Sequence, residues 1–289
     1  MPFECYTVFN CGAIRFGDEV VLILRAEGYD RTSAFFRATS SDGIQFVVDP
    51  EPLNYPLRAI EQSFKGRQWY TRFDMRITCL DGEYYVTHAV WLPGLGSTIG
   101  MAKTRDFRNF EPTPYLSPPS NRNAALFPEK INGLYCRLER PQDIDGTGTI
   151  WVSYSPDLEF WGRHAIVDVP KTNWFGKKCG AGAVPIKTPE GWLEIYHTTT
   201  MTASTENYYL GVMLLDLEDP SKIIAAPKQM ILAPEKDYEC IGQTPNVVFT
   251  CGAVEMDDGR LNVYYGGADT RVCLAQTSVD ELVDFCLHR

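Results

Sequence analysis

Apolar and polar positions alternate along most of this chain in short runs. Val20–Leu24, Tyr84–His88, Ile150–Tyr154, Leu193–His197, Tyr209–Leu215 and Leu261–Tyr265 are rich in β-branched and aromatic residues and bounded by turn residues, the signature of strands. Only Val279–Leu287 has a helical period, with Leu282, Val283 and Cys286 on one face behind Ser278 as an N-cap. A turn followed by a strand recurs five times, at Asp18–Leu22, Asp81–Val86, Asn132–Cys136, Glu190–Tyr196 and Asp258–Tyr265. In phase with it runs a closing block of the form S/T-x-D-x-x-x-F, at Ser41–Phe46, Thr104–Phe110 and Ser155–Trp161, more faintly at Asp216–Pro220, and last at Ser278–Leu282. The units average roughly 58 residues, the length of a four-stranded sheet with its loops. The expectation is an all-β fold, a five-bladed β-propeller with a short C-terminal helix, spanning 1–289 as a single domain. In such a ring the site lies where the blades converge on the central channel. The segment Tyr6–Phe9 is expected to close the ring by joining the last blade.

Charge and cysteine usage narrow the function. The net charge is -10 and no Lys/Arg-rich run occurs, which argues against nucleic-acid binding and against anionic membranes. An anionic ligand would need a local basic pocket. The nine cysteines, Cys5, Cys11, Cys79, Cys136, Cys179, Cys240, Cys251, Cys273 and Cys286, are irregularly spaced and include no C-x-x-C pair. They read as reduced core thiols in a reducing compartment. The stretch Met1–Tyr6 has no basic or long apolar region, so no signal peptide is expected, and Val20–Leu24 is too short to span a bilayer. A soluble cytoplasmic protein is therefore expected, with room on the ring faces and terminal helix for a homo-oligomer. The four histidines lack metal-ligand spacing, Gly94–Gly100 and Gly176–Gly180 fail as nucleotide loops, and no G-x-S-x-G elbow is present.

Each unit carries polar residues at a comparable point. They are Asn10 with Arg25; Asp74 and Arg76 in Phe73–Arg76; Arg122 in Asn121–Lys130 with Arg140 in Arg137–Pro141; Lys178 in Lys178–Ala183 leading to His197; and Asp269 in Tyr264–Thr270. Comparable points face one axis. Two arginines, a lysine and a histidine there would suit a phosphate or a carboxylate. Each residue also has a plain structural reading: Asp81 and Asp258 as turn residues, Arg76 and Arg140 as ties between blades, His197 as hydrogen-bonded scaffold. Their common phase favours a joint site.

At these residues the chain resembles glycoside hydrolase family 130, the β-mannoside phosphorylases. The resemblance runs over essentially the whole chain and is most specific at Asn123–Ile131, Gly180–Thr188, Leu214–Lys222, Pro245–Phe249 and Tyr264–Thr270. It implies a five-bladed propeller. It also implies Asp74 as general acid, in an Asp-Pro-Arg motif where this chain has Met75. Arg122, Arg140, Lys178, His197 and Tyr208 (with Tyr209 adjacent) match the phosphate set, and Asn10, Arg25 and Asp269, with Arg76, the sugar contacts. The implied chemistry is a single inverting displacement. Phosphate attacks the anomeric carbon of a terminal β-mannosyl unit while Asp74 protonates the leaving oxygen, through the sugar's own 3-hydroxyl in the family proposal. The acid has to carry its proton before it reacts, and Arg76 is expected to point away from it. Inorganic phosphate is a co-substrate, and no cofactor or metal is implied.

An inverting hydrolase needs a second carboxylate as base, whereas phosphate is already a nucleophile. The stretch Gly266–Ala275, with Asn121–Asn123 and Glu139–Pro141, looks most like members acting on β-1,2-mannosides. Other readings are β-1,4-mannooligosaccharide phosphorolysis, a mannosyltransferase using a nucleotide-activated mannose, a β-mannosidase and a mannan-binding propeller without activity.

Overall fold

The computed structural model describes residues 3–67, 70–169, 176–203 and 205–288; Met1 and Pro2 of the N-terminal reading lie outside them. Five small antiparallel sheets form the ring. Blade 1 holds β1 (Thr7–Phe16), β2 (Glu19–Glu27), β3 (Ser33–Ser40) and β4 (Val47–Val48). The one-turn helix α1 (Ala59–Gln62) leads to blade 2, with β5 (Thr71–Leu80), β6 (Glu83–Leu92), β7 (Gly96–Thr104) and β8 (Glu111–Pro112). Blade 3 holds β9 (Asn121–Leu126), β10 (Tyr135–Pro141), β11 (Trp151–Ser155) and β12 (Gly162–Ile166). Blade 4 holds β13 (Cys179–Ala181), β14 (Ile186–Thr188), β15 (Gly191–Met201), β16 (Glu206–Leu215) and β17 (Ile223–Ala225). After α2 (Asp237–Cys240), blade 5 holds β18 (Val248–Glu255), β19 (Leu261–Gly267) and β20 (Arg271–Thr277), and α3 (Val279–His288) ends the chain. The first strand of each sheet is the inner one: β1 meets both β5 and β18, and β9 meets β5 and β13.

The core lies between blades, because each sheet buries both faces against its neighbours. Ile23, Met75 and Val86 fill the space between blades 1 and 2, Leu138, Trp192 and Met213 that between 3 and 4, and Leu22, Leu24 and Met256 that between 5 and 1. Helix α3 adds Leu282 and Cys286 to the core between blades 4 and 5. Met75, which departs from the family's proline, therefore points into apolar core.

The repeated closing block is a turn device. The Asp106 carboxylate accepts the amides of Arg108 and Asn109, and Thr104 Oγ1 accepts the amide of Phe107. Ser155 and Asp157 do the same after β11. After β3 the hydroxyl comes from Ser40, one residue before the Ser41 expected. The last copy caps a helix: Ser278 Oγ accepts the Glu281 amide while the Glu281 carboxylate accepts the Ser278 amide, a capping box.

Two expectations are corrected. Closure does not use an N-terminal strand, since β1 pairs along its length with β2 inside blade 1, which leaves no strand to donate. The seam is held by apolar packing, by the Val8 amide on the Thr270 carbonyl at 3.0 Å, and by Tyr264 Oη donating to the Gly43 carbonyl at 2.7 Å. Of the cysteines, all nine of them free, Cys79 is exposed on β5 rather than in the core, whereas Cys11, Cys136, Cys179, Cys251 and Cys286 are buried.

Candidate active site

The inner strands of blades 1, 2 and 3 share one irregularity. In each, two residues stand opposite one on the neighbouring strand: Asn10 and Cys11, Asp74 and Met75, Asn123 and Ala124. The first residue of each pair is left-handed, with φ of 50°, 55° and 58°. Asn and Asp tolerate that region, whereas longer side chains there cost about 1–2 kcal/mol. A β-bulge of this kind bends the strand and re-aims a side chain. Here it turns Asn10, Asp74 and Asn123 to corresponding points, which makes Asp rather than Glu the carboxylate this backbone accepts.

From Asn10 a continuous run of contacts crosses the axis. Asn10 Nδ2 donates to Asp74 Oδ1 at 3.0 Å, and Asp74 is 7% exposed. Gly266 leaves the room this needs, since a Cβ there would lie 2.2 Å from Asn10 Oδ1. The Arg25 guanidinium sits over Phe9 at 4.5 Å and near the Phe73 ring at 5.7 Å, with Glu27 at 3.4 Å. Half-buried Asp269 adopts φ 48°. Burial, followed by the negative charge of Asp74, pushes its carboxyl up to about 6 against the opposing pull of the Thr244 hydrogen bond and Arg25.

The Phe73 ring also meets Arg122, at 5.9 Å, which leads to the cationic half. Arg122 and Arg140 are directly paired across β9 and β10, although like charges in that relation repel. Arg122 Nε donates to Gln142 at 2.9 Å. Arg140 is 3% exposed; burial, and then the charge of Arg122, bring it down to about 10. Its Nη1 donates to His197 Nε2 at 2.9 Å. A guanidinium can only donate, so His197 accepts there in its neutral form. Burial and then Arg140 hold the imidazole well below its ordinary pKa. The His197 ring lies 4.5 Å from Phe249 and 6.2 Å from Tyr208. Lys178 Nζ reaches Tyr208 Oη at 3.3 Å and Glu206 at 2.8 Å. Gly180 permits this close assembly: a Cβ there would lie 2.6 Å from His197.

The structure thus brings together Asn10, Arg25, Asp74, Arg122, Arg140, Lys178, His197, Tyr208 and Asp269. Tyr208 rather than Tyr209 belongs to the cluster, because Tyr209 turns its hydroxyl to Thr200. Arg76 is placed differently. It is buried, with Nε on the Gly182 carbonyl at 2.6 Å, Nη2 on Ala181 at 2.7 Å and Nη1 on the Asp74 carbonyl at 3.0 Å. It points away from the Asp74 carboxylate, as expected, but it ties blade 2 to blade 4 and offers no face for direct sugar contact. His197 is fully buried and accepts the Arg140 Nη1 hydrogen bond. Sequence reading passed over Phe73, Asn123, Gln142, Glu206 and Phe249. Aligning the inner strands on Asn10 and Asp74 would have found Asn123; Phe73 and Phe249 lie in the segments Phe73–Arg76 and Pro245–Phe249 already singled out, whereas Gln142 and Glu206 carry no motif signal.

Fold and constellation together define a carbohydrate-active propeller enzyme with a cationic half-site. The chain belongs to glycoside hydrolase family 130: that family's profile, described as β-1,4-mannooligosaccharide phosphorylase, matches residues 2–288. It is 35% identical over 287 residues to the β-1,4-mannooligosaccharide phosphorylase of Ruminococcus albus, covering 96% of this chain and 84% of that one. It is 38% identical to a β-1,2-mannobiose phosphorylase of a Thermoanaerobacter species, covering 94% and 90%. The structure of the Listeria innocua β-1,2-mannobiose phosphorylase in complex with β-1,2-mannobiose matches with a TM-score of 0.84 at 29% identity, covering 99% of this chain and 93% of that one.

Proposed function

We propose that this chain catalyses the reversible, inverting phosphorolysis of β-mannosides, β-1,2-linked mannobiose or oligomannan first among them, giving α-mannose 1-phosphate. The observation that carries this reading is the division of the axis into two halves. One half sets Asp74 among Asn10, Arg25 and Asp269; the other sets Arg122 against Arg140, beside Lys178 and Tyr208. Among the described residues no carboxylate lies within ion-pair distance of either arginine, so a dianionic phosphate supplies the charge they lack.

In this reading Asn10, Arg25 and Asp269 hold the mannosyl unit. Asp74 supplies the proton to the leaving oxygen, directly or through the sugar's 3-hydroxyl. Arg122, Arg140, Lys178 and Tyr208 position phosphate on the opposite face of the anomeric carbon, with His197 orienting Arg140. Positioned donors and fixed charges of this kind supply most of the rate in such a displacement. In-line attack from blades 3 and 4 sends the leaving sugar toward blades 1 and 2, where Arg25, Phe73, Trp91 and Pro93 line a cleft. Phosphate is a co-substrate and no resident cofactor is needed. The nine free cysteines suit a cytoplasmic setting.

The test is release of mannose 1-phosphate from β-1,2-mannobiose with and without phosphate, for wild type and Asp74→Asn. We expect phosphate-dependent release that falls by about 10²–10⁴-fold in the variant, the range of general acid catalysis. Free mannose released without phosphate would replace this reading with hydrolysis, with Glu206 the first base to examine. Turnover of β-1,4-mannobiose alone would move the linkage.

A further inference from the structure

Four of the five spaces between blades are filled by ten or more buried side chains each. The space between blades 2 and 3 is different. Its apolar packing is confined to Leu80, Met101, Leu126 and Leu158 with three partly buried aromatics. The rest opens as a groove of about 470 Å³ between β7 with the following linker on one side and β10, β11 and β12 on the other. That volume is in the range of small-molecule sites.

The groove has a polar floor and aromatic walls. Glu139, 1% exposed, takes Arg137 Nη2 at 2.7 Å and Nε at 2.9 Å on one oxygen, and His164 Nδ1 lies 3.1 Å from the other. The Arg137 guanidinium stacks on Trp161 at 4.0 Å. Trp151 and Tyr115 also line the groove, Tyr115 exposed and paired with Phe160 at 6.0 Å. Asn121, 9% exposed, lines it too, and its Oδ1 has no hydrogen-bond partner among the described residues.

This groove is distinct from the centre at Asp74. Side chains alternate along a strand, so Arg137, Glu139 and Pro141 face it while Arg140 faces the phosphate half; Asn121 and Arg122 divide in the same way. The two sites are back to back on one strand pair, and the upper rim of the groove, Ser120, Asn121 and Pro141, is next in sequence to Arg122 and Arg140.

We propose that the groove between blades 2 and 3 is a second carbohydrate site, which binds further units of a neutral β-mannoside chain. Aromatic faces suit the C–H faces of pyranose rings, and a carboxylate, a guanidinium, an imidazole and an amide suit their hydroxyls. Glu139 and Arg137 offset each other in charge, which fits an uncharged ligand. The identity of the sugar rests on the proposed phosphorolysis; the existence of the site does not.

The test compares phosphorolysis of β-1,2-mannobiose, too short to occupy both sites, with that of the hexasaccharide. Wild type is expected to show a KM about fivefold lower for the hexasaccharide, an increment of the size one aromatic contact supplies. Trp161→Ala, and independently Tyr115→Ala and His164→Ala at exposed positions, should abolish that advantage while leaving kcat and the mannobiose KM unchanged. Calorimetric titration of Asp74→Asn should show the hexasaccharide binding about fivefold tighter than mannobiose, and the two binding equally when Trp161→Ala is added. An unchanged length dependence in all three variants, in turnover and in titration, would overturn the second site while leaving phosphorolysis standing. Absence of turnover with any mannoside would instead sink the functional reading, and titration with the hexasaccharide would still report on the groove.

Discussion

Two pairs of arginines in this protein are handled in opposite ways. In blade 2, Arg58 and Arg72 share Glu61, which is 0% exposed. Arg58 Nη1 and Arg72 Nε each donate to that carboxylate at 2.8 Å. Their other donors end on carbonyls: Arg72 on Tyr55 and Pro56, Arg58 on Thr113 and Met101. In blade 3, Arg122 and Arg140 face each other with Gln142 and His197 as their side-chain hydrogen-bond partners among the described residues, and Arg140 Nε has none there. The first pair shares one carboxylate and ends its remaining donors on carbonyls, which anchors the 55–61 stretch to the sheet. The second is held together by the fold against its own repulsion. The difference separates a structural arginine from a binding one better than burial does, since Arg58, Arg72 and Arg140 are all buried.

Arg140→Ala is the sharpest test of that contrast. It should lower kcat/KM for phosphate by about a thousandfold, the upper range for loss of one such donor, while thermal stability stays level or rises because the repulsion goes. Arg72→Ala should do the reverse. It strips Glu61 of one partner and should cost about 3 kcal/mol in urea unfolding, as removal of one member of a buried ion pair does, with KM for phosphate unchanged. If Arg140→Ala unfolds the protein and Arg72→Ala does not, the assignment is backwards. A smaller effect follows from linkage: phosphate at a hundred times its Kd should stabilise wild type by about 2.7 kcal/mol, and stabilise Arg140→Ala hardly at all. A melting temperature indifferent to phosphate would end the comparison.

The smallest effect concerns the negative half. Asp269, with its pKa raised to about 6, ionises as pH rises through that value, and an anion accepts hydroxyl hydrogen bonds more strongly. The mannoside KM should therefore fall a few-fold, by about half a log unit, between pH 5 and 7. Asp269→Asn should flatten that limb. For stability the sign is opposite: the folded state holds this proton more tightly than the unfolded chain does, so the contribution is complete below the ordinary carboxylate range and lost as pH rises through about 6.

Much of this was legible in the chain. The phase of Asp18, Asp81, Asn132, Glu190 and Asp258 located the hairpins, because a tight turn demands particular residues wherever it occurs. The blocks after β3, β7 and β11 were readable for the same reason, and their shared chemistry also explains why Ser278 could start a helix instead. What stayed hidden was whatever depends on register. The bulges at Asn10, Asp74 and Asn123 leave no local pattern, since an extra residue in a strand shows only when its partner strand is known. Arg76 and Arg140 are alike in local pattern, both being arginines in inner or neighbouring strands; only the direction of each guanidinium shows that Arg76 ends on carbonyls while Arg140 Nε keeps no partner among the described residues. The missing closing strand was a general expectation for rings, and this chain had already committed Thr7–Phe16 to blade 1.

That seam has a consequence for the chain as a thread. Every sheet is wound from one uninterrupted length, 7–48, 71–112, 121–166, 179–225 and 248–277, so no blade borrows a strand from the other end of the molecule. The links between blades therefore carry no strand of any sheet, and a nick in one of them would leave all five strand sets whole.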